Sequence, residues 1–299
     1  MKQIGAALLL IILLFISSCE KDFNINPQGT GNQLVVNSLF NDGTPITVYV
    51  TKPYPVGSSN NYITAIPDAR VELYENNLLK EIIAYVPSDT QALFGSYISN
   101  TIPQFGKSYT VKTVRAGYTN ASATDTIPLP TQLITSAVEK YTTSGPGPRG
   151  KMYMVFKDDP NTQNYYRINA WIGGWIPTIG TNGDTIPKFQ FTAIEPYATN
   201  EVSDTVRDGD FLLFSDRGFN GQEKNLELTF NTVNPHSYTS LYLYTELHTI
   251  SKAHYEYFRT LNLYRTSNSN EPVFIFSNVN NGMGAFVAEH IQTMTFTIK

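Results

Sequence analysis

The stretch Ala69-Arg70-Val71-Glu72-Leu73-Tyr74-Glu75-Asn76-Asn77-Leu78-Leu79-Lys80-Glu81-Ile82-Ile83-Ala84-Tyr85-Val86 decides the fold class. Val71 and Leu73 alternate with Arg70, Glu72 and Tyr74, the period-two pattern of a strand with one buried face. Asn76-Asn77 follows as a candidate two-residue turn, because Asn tolerates positive φ at low cost. Leu78 to Val86 is then the returning strand. The segment reads as a β-hairpin, and nothing in it repeats at the helical period.

The same style continues on both sides. Gln33 to Phe40 and Ile46 to Lys52 precede the hairpin, with a loop over 53–67. Phe94 to Ser99, Ser108 to Arg115 and Thr119 to Thr126 follow it. About seven short strands with regular turn signals predict an immunoglobulin-like β-sandwich over 33–127. Ile127-Pro128-Leu129-Pro130 then interrupts the pattern, because two prolines remove backbone donors and stiffen the chain.

A second β-rich domain is expected over 132–299. Strands are predicted near 132–141, 152–157, 165–175, 189–194, 211–214, 225–231 and 240–248. Gly173-Gly174 suggests a bulge or bend in the third of these, with a loop over 176–187. In Ser240 to His248, Leu241, Leu243 and Leu247 would face the core, leaving Tyr242, Tyr244, Glu246 and His248 outside. One helix is predicted over 251–265, with Ser251 as N-cap and a stripe of Ala253, Tyr257, Leu261 and Tyr264 widened by Phe258. Strand runs at 273–277, 284–288 and 291–298 end the chain.

The N-terminus carries a different signal. Lys2 precedes an uncharged apolar run, Ile4 to Ile16, too short for a bilayer span of about 20 residues but suited to a signal peptide. Ser17-Ser18-Cys19 follows, and Cys19 is the chain's only cysteine. This arrangement resembles the lipobox of bacterial lipoproteins. It implies removal of residues 1–18, lipid on Cys19, and a polar tether over 19–32. Each buried CH₂ contributes about 0.8 kcal/mol, so two or three acyl chains hold a protein firmly at a membrane. Glu20-Lys21-Asp22 resembles the surface-export signals of Bacteroidota lipoproteins, which points to the outer membrane and its outer face; the periplasmic face is the alternative.

Lys and Arg number 21 against 25 Asp and Glu, a net charge of −4. That balance argues against nucleic acid, which needs a basic stripe, and against electrostatic attachment to anionic lipid. With Cys19 lipidated, no thiol is left for a disulfide, a metal or a nucleophile. The aromatic content of 13% suits sheet and also suits binding surfaces.

No catalytic constellation stands out. The histidines are His236, His248, His254 and His290. The densest cluster is Glu246, His248, His254 and Glu256, which lacks the i, i+4 histidine pair of a helical zinc site and reads as polar side chains at the surface. Asp204 to Asp216 fails as a calcium loop, since Val206 and Ser215 occupy the third and twelfth positions. Asp158-Asp159 sit adjacent in a turn and would point apart rather than flank a substrate. No serine lies in a nucleophile elbow, and no phosphate-binding glycine loop is present. No cofactor or metal is expected. Trp171 and Trp175 are the best ligand-binding candidates: in an unbroken strand they share a face, to be used either for core packing or for stacking on sugar rings and apolar groups. Asn278 and Asn281, in Ser277-Asn278-Val279-Asn280-Asn281-Gly282-Met283-Gly284, are further candidates, although that loop also suits closing a domain through its glycines.

Two resemblances accompany these readings. Ala69 to Tyr74, Gly95-Ser96-Tyr97 and Gly106 to Val111 resemble transthyretin-like and carboxypeptidase-regulatory sandwiches, which are structural or adhesive modules. Leu34-Val35-Val36-Asn37, Asp158 to Tyr166, Phe214 to Gly221, Ser251 to Tyr257 and Glu271 to Phe286 together resemble the Bacteroidota lipoproteins called domain of unknown function 4249. That resemblance implies a cell-envelope lipoprotein, often encoded beside TonB-dependent receptors, with no established catalytic residues to carry over. The expected function is therefore a non-enzymatic accessory or ligand-binding partner of a TonB-dependent transporter. A stand-alone structural or adhesive surface protein is the alternative, and an envelope hydrolase is the third.

Overall fold

A computed structural model describes residues 31–53, 63–88, 95–142, 149–231, 237–267 and 273–298. Cys19, the signal, most of the tether and His236 lie outside these residues. The described chain is mainly β, with one α-helix near its C-terminus.

The first seven strands are β1 Val35–Asn41, β2 Thr47–Thr51, β3 Arg70–Glu75, β4 Leu78–Val86, β5 Ser96–Ile98, β6 Ser108–Val114 and β7 Ala121–Thr126. The β3–β4 hairpin forms as its sequence predicts: Asn76 and Asn77 both take positive φ (48° and 68°), which lets a two-residue turn match the strand twist. Val71 and Leu73 are fully buried. The sheet order β1-β2-β5-β4-β3-β6-β7 folds back on itself around one core. Val36, Phe40, Val48 and Tyr97 come from one layer, Leu73, Tyr109, Val111 and Ala123 from the other.

The rest of the chain forms β8 Gln132–Thr142, β9 Arg149–Lys157, β10 Tyr165–Ile179, β11 Thr185–Ala193, β12 Pro196–Ala198, β13 Val206–Asp208, β14 Phe211–Ser215, β15 Glu223–Asn231, β16 Ser240–Ile250, helix α1 Lys252–Thr266, β17 Val279–Asn280 and β18 Phe286–Thr297. The four-stranded sheet β12-β15-β9-β8 packs on β14-β10-β16-β18. Met152, Met154, Phe156 and Leu228 meet Tyr166, Ile168, Ile172, Leu241, Leu243 and Leu247 across a second core.

The last strand belongs to both cores. Ser38 to Asn41 of β1 pair in parallel with Phe286 to Glu289. From Glu289 onward β18 pairs antiparallel with β16. Phe286 lies in the first core, 4.5 Å from the Phe40 ring, while Met294 and Phe296 pack on the second. The glycine loop before β18 makes this possible. Gly284 has φ +107°, and a Cβ there would stand 2.3 Å from the Val36 carbonyl oxygen. Only glycine allows that approach.

Several expectations need correction. Gly173 and Gly174 make no bulge; β10 runs unbroken through them, in register with β11 and β16. The expected loop over 176–187 is mostly strand, with β10 reaching Ile179 and β11 starting at Thr185. Residues 273–277 join no strand. Ser251 does cap α1, its hydroxyl accepting from the His254 amide. The buried residues of α1, however, are His254 and Tyr255, while Tyr264 is 56% exposed. The helix meets the sheet through a small apolar cluster, Tyr255 and Phe258 against Tyr165, Leu213, Phe211 and Ile250, beside a charged patch, so its buried face is not the stripe read from the sequence.

Candidate functional site

The outer face of β10 divides into two regions. Counting every second residue, Tyr165, Arg167 and Asn169 are followed by Trp171, Gly173 and Trp175. Helix α1 covers the first group and leaves the second open.

Under α1 lies a closed charged network. Arg167 donates through Nε to Asn169 Oδ1 at 2.9 Å and faces His254 Nε2 through Nη1 at 3.2 Å. Its guanidinium also stands 3.7 Å from Glu289. The two ring nitrogens of His248 face Glu289 at 2.8 Å and Glu246 at 2.9 Å. His248, expected outside, is buried, because α1 lies across its strand. Burial drives the His254 imidazole down to about 3 and keeps it neutral. Burial alone would raise the Glu289 carboxyl, but the His248 bond and the nearby Arg167 charge hold it well below the usual carboxylate range. Glu256, grouped with these histidines in the sequence, instead pairs with Arg259 at 2.7 Å. The network fixes the helix to the sheet, and none of the clefts described below is lined by His248, His254 or Glu289. Among the described residues, no group of three or more His, Cys, Asp or Glu is placed to hold a metal ion.

Beyond α1 the same face becomes aromatic. The antiparallel register puts Trp175 opposite Phe189, Gly173 opposite Phe191 and Tyr242, and Trp171 opposite Tyr244. Directly opposed residues share a face, so six rings gather across β11, β10 and β16. Trp175 and Phe189 meet edge to face at 5.1 Å. Phe189 and Phe191 stand 5.4 Å apart, and Phe191 and Tyr244 5.2 Å apart at only 31° between planes. Gly173 makes room for this: a Cβ would meet the Phe189 and Tyr244 rings at 3.0 Å. Gly174, on the opposite side, lets the inner face close on the Ser240 carbonyl. The two tryptophans therefore share a face as predicted, and that face is not the core. Trp175 is 41% exposed and Phe191 55%, large values for contiguous rings.

The asparagines stand elsewhere. Asn278 accepts from the Phe286 amide at 3.0 Å and donates to the Phe286 carbonyl at 2.7 Å, closing the loop before β18. Asn281 is an exposed turn residue at φ 57°. Both belong to the first sandwich, apart from the tryptophans. Phe189, Phe191 and Arg167 are not among the residues the sequence singles out, and Tyr242 and Tyr244 are placed on the outside of their strand without a role in binding. The signals were present: Phe189 and Phe191 alternate, as do Tyr242 and Tyr244, and Arg167 is the lone charge in an apolar run.

Two polar clefts flank α1. One, of about 500 Å³, is lined by Tyr165, Asp204, Ser215, Arg217, Tyr255 and Arg259. Asp204 there accepts from the Ser215 hydroxyl and from Tyr255 at 3.3 Å, so it ties β14 to the helix. The other, of about 580 Å³, lies at the 127–131 junction beside Asp125, Asp158 and Ser251. Asp158 accepts from the Tyr166 hydroxyl and from the Gly221 amide, while Asp159 turns away to cap Asn161. Burial pushes the Asp125 carboxyl up to about 6, against bonds from Ser251, Thr126 and Ala288. These carboxylates are occupied in joining elements.

Fold and surface thus define a mainly β protein of two packed cores, one of which presents an open aromatic sheet face. The chain belongs to the family described as Domain of unknown function (DUF4249), whose profile matches residues 20–295. Comparison with curated proteins finds no match. A solved structure titled "Complete structure of manganese lipoxygenase of Gaeumannomyces graminis and partial structure of zonadhesin of Komagataella pastoris" is similar at 10% identity and a TM-score of 0.20, over 89% of this chain and 96% of that one. So low a score says nothing of shared fold or activity. No helix among the described residues is long and apolar enough to cross a membrane.

Proposed function

We propose that this chain is an outer-membrane lipoprotein, held by lipid on Cys19, that acts without catalysis as an accessory or ligand-binding partner of a TonB-dependent transporter. The observation that carries the binding role is the open aromatic face of Trp171, Trp175, Phe189, Phe191, Tyr242 and Tyr244. Packed rings at a surface are costly to leave wet, and contiguous apolar patches mark contact sites. The main buried cluster of His and Glu is sealed beneath α1, an arrangement suited to holding structure. The Bacteroidota lipoprotein resemblance and the Ser17-Ser18-Cys19 stretch support the envelope location.

The test is purification of the native lipoprotein in mild detergent, with identification of what stays bound. A β-barrel receptor in reproducible yield is expected, and its consistent absence overturns the partnership. Protease treatment of intact cells, comparing wild type with Cys19→Ala, tests the placement. Shaving of the wild type from whole cells is expected; protection until the outer membrane is opened would put the protein on the periplasmic face.

A further inference from the structure

The chemistry of the aromatic face specifies its ligand more closely than the fold does. We infer that this face binds an uncharged saccharide chain, whose sugar faces stack on Trp175, Phe191 and Tyr244 while its hydroxyls bond to a threonine row on β18. This inference rests on the ligand-binding reading above.

The rings span three neighbouring strands, and successive centroids from Trp175 through Phe189 and Phe191 to Tyr244 step by 5.1, 5.4 and 5.2 Å, the last step bridging β11 to β16 over Gly173. They hold each other in place, so little side-chain freedom is lost when a ligand arrives. Beside them the register sets Thr297 opposite Tyr242 and Thr295 opposite Tyr244, with Thr293 next along, and all three threonines are exposed. The surface therefore grades from aromatic planes to a ladder of hydroxyls within one strand spacing.

Charge completes the argument. Among the described residues of this open region, no Lys or Arg shares the face of these rings. Lys188 sits opposite Ile176 and so points to the other side of the ribbon. Glu246, at the edge of the region, is engaged by His248. Nucleic acid and anionic lipid both need cations, and protein hot spots favour Arg beside Trp and Tyr. An acyl chain prefers an enclosed pocket, whereas this face is open. Planar apolar patches edged by neutral hydroxyl groups are what a neutral sugar presents, and the protein surface mirrors that composition.

The full lipoprotein in detergent is titrated with soluble neutral glucan and xylan oligosaccharides, and in parallel with an oligouronate of equal length. Binding is read from tryptophan fluorescence and calorimetry. Both tryptophans of the chain are on this face, so quenching reports the site directly. Saturable binding of at least one neutral series is expected, weakened at least tenfold by Trp175→Ala and by Phe191→Ala. Both positions are exposed, and thermal melting confirms that the variants fold. Asn281→Ala, on the first sandwich, is expected to leave affinity unchanged. Absence of binding to every neutral series, tighter binding of the uronate, or affinity that survives both ring variants overturns the inference. If glycan binding is absent but Trp175→Ala releases a co-purifying receptor or dissolves a dimer, the face is a protein interface. The saccharide inference then falls, whereas the transporter partnership is judged separately by receptor retention.

Discussion

Glu289→Gln tests whether the network under α1 holds the helix electrostatically. Gln keeps the size of the side chain and one acceptor for His248, but removes the charge that faces Arg167 at 3.7 Å and His248 at 2.8 Å. Glu289 is 3% exposed and Arg167 9%, so the guanidinium would be left buried without a counter-ion. Breaking a buried pair by removing one partner costs about 3–5 kcal/mol. The retained acceptor puts the expected loss near the lower end, about 3 kcal/mol at pH 7. For a chain of this size that corresponds to a fall in Tm of roughly 6–12 °C. Urea unfolding followed by tryptophan fluorescence is the direct assay, because Trp171 and Trp175 lie on the same strand as Arg167. The sign with pH follows from linkage. Glu289 is depressed in the folded state, so its stabilisation is present above its ordinary value of 4.5 and is lost as the pH falls below it. The gap between wild type and variant should narrow on acidification below that value. A loss under about 1 kcal/mol at pH 7, or a gap that stays constant down to pH 3, would refute the electrostatic account.

Asp125 titrates in the opposite sense: with its carboxyl raised from 3.8 to about 6, the stability it contributes is present below pH 4 and lost as the pH rises through 6, by about 3 kcal/mol. The stability difference between wild type and Asp125→Asn should slope across pH 4–6.5, and a flat difference would remove burial as the cause. The paired glycines of β10 make a ranking prediction. Gly174→Ala drives a Cβ to 2.4 Å from the Ser240 carbonyl oxygen and should cost about 1–3 kcal/mol, whereas Gly173→Ala meets only ring edges at 3.0 Å and should cost less. Thermal melting of the two variants orders them, and the reverse order would contradict the assignment of the two faces.

Local pattern made the strands legible. The Val71 and Leu73 alternation, the Asn76-Asn77 turn and the buried Leu241, Leu243 and Leu247 all follow from period and turn chemistry. Ser251 was legible as a cap for the same reason. What escaped depends on contacts distant in sequence. His248 occupies an outward position on its strand and is buried only because α1 crosses it, which no window around residue 248 reveals. Glu289 meets Arg167 across 122 positions of chain. Gly173-Gly174 suggests a bulge or bend, because glycine weakens a strand. Gly173 is instead the gap into which Phe189 and Tyr244 lean, and Gly174 lets the Ser240 carbonyl approach on the other face, roles that exist only once β11 and β16 are in register on either side.

The layout along β10 puts a sealed charged region and an open aromatic one on a single strand. Its first residues, Tyr165 to Asn169, carry charge that α1 seals, and its middle, Trp171 to Trp175, carries rings that nothing in the described chain covers. Had the helix run further along the sheet, the aromatic face would be core; had it been absent, Arg167, His248 and Glu289 would be solvated and weakly coupled. Antiparallel register makes the division sharp, because each step of two residues along β10 brings a matched pair from its neighbours. The surface chemistry therefore changes in whole rows: Arg167 beside His248, then Asn169 beside Glu246, then Trp171 beside Tyr244. Substitutions in the open rows should alter binding with little effect on unfolding, and those in the sealed rows the reverse. That separation is the physical basis for proposing the rings as a recognition surface, with the buried charges as the brace beside it.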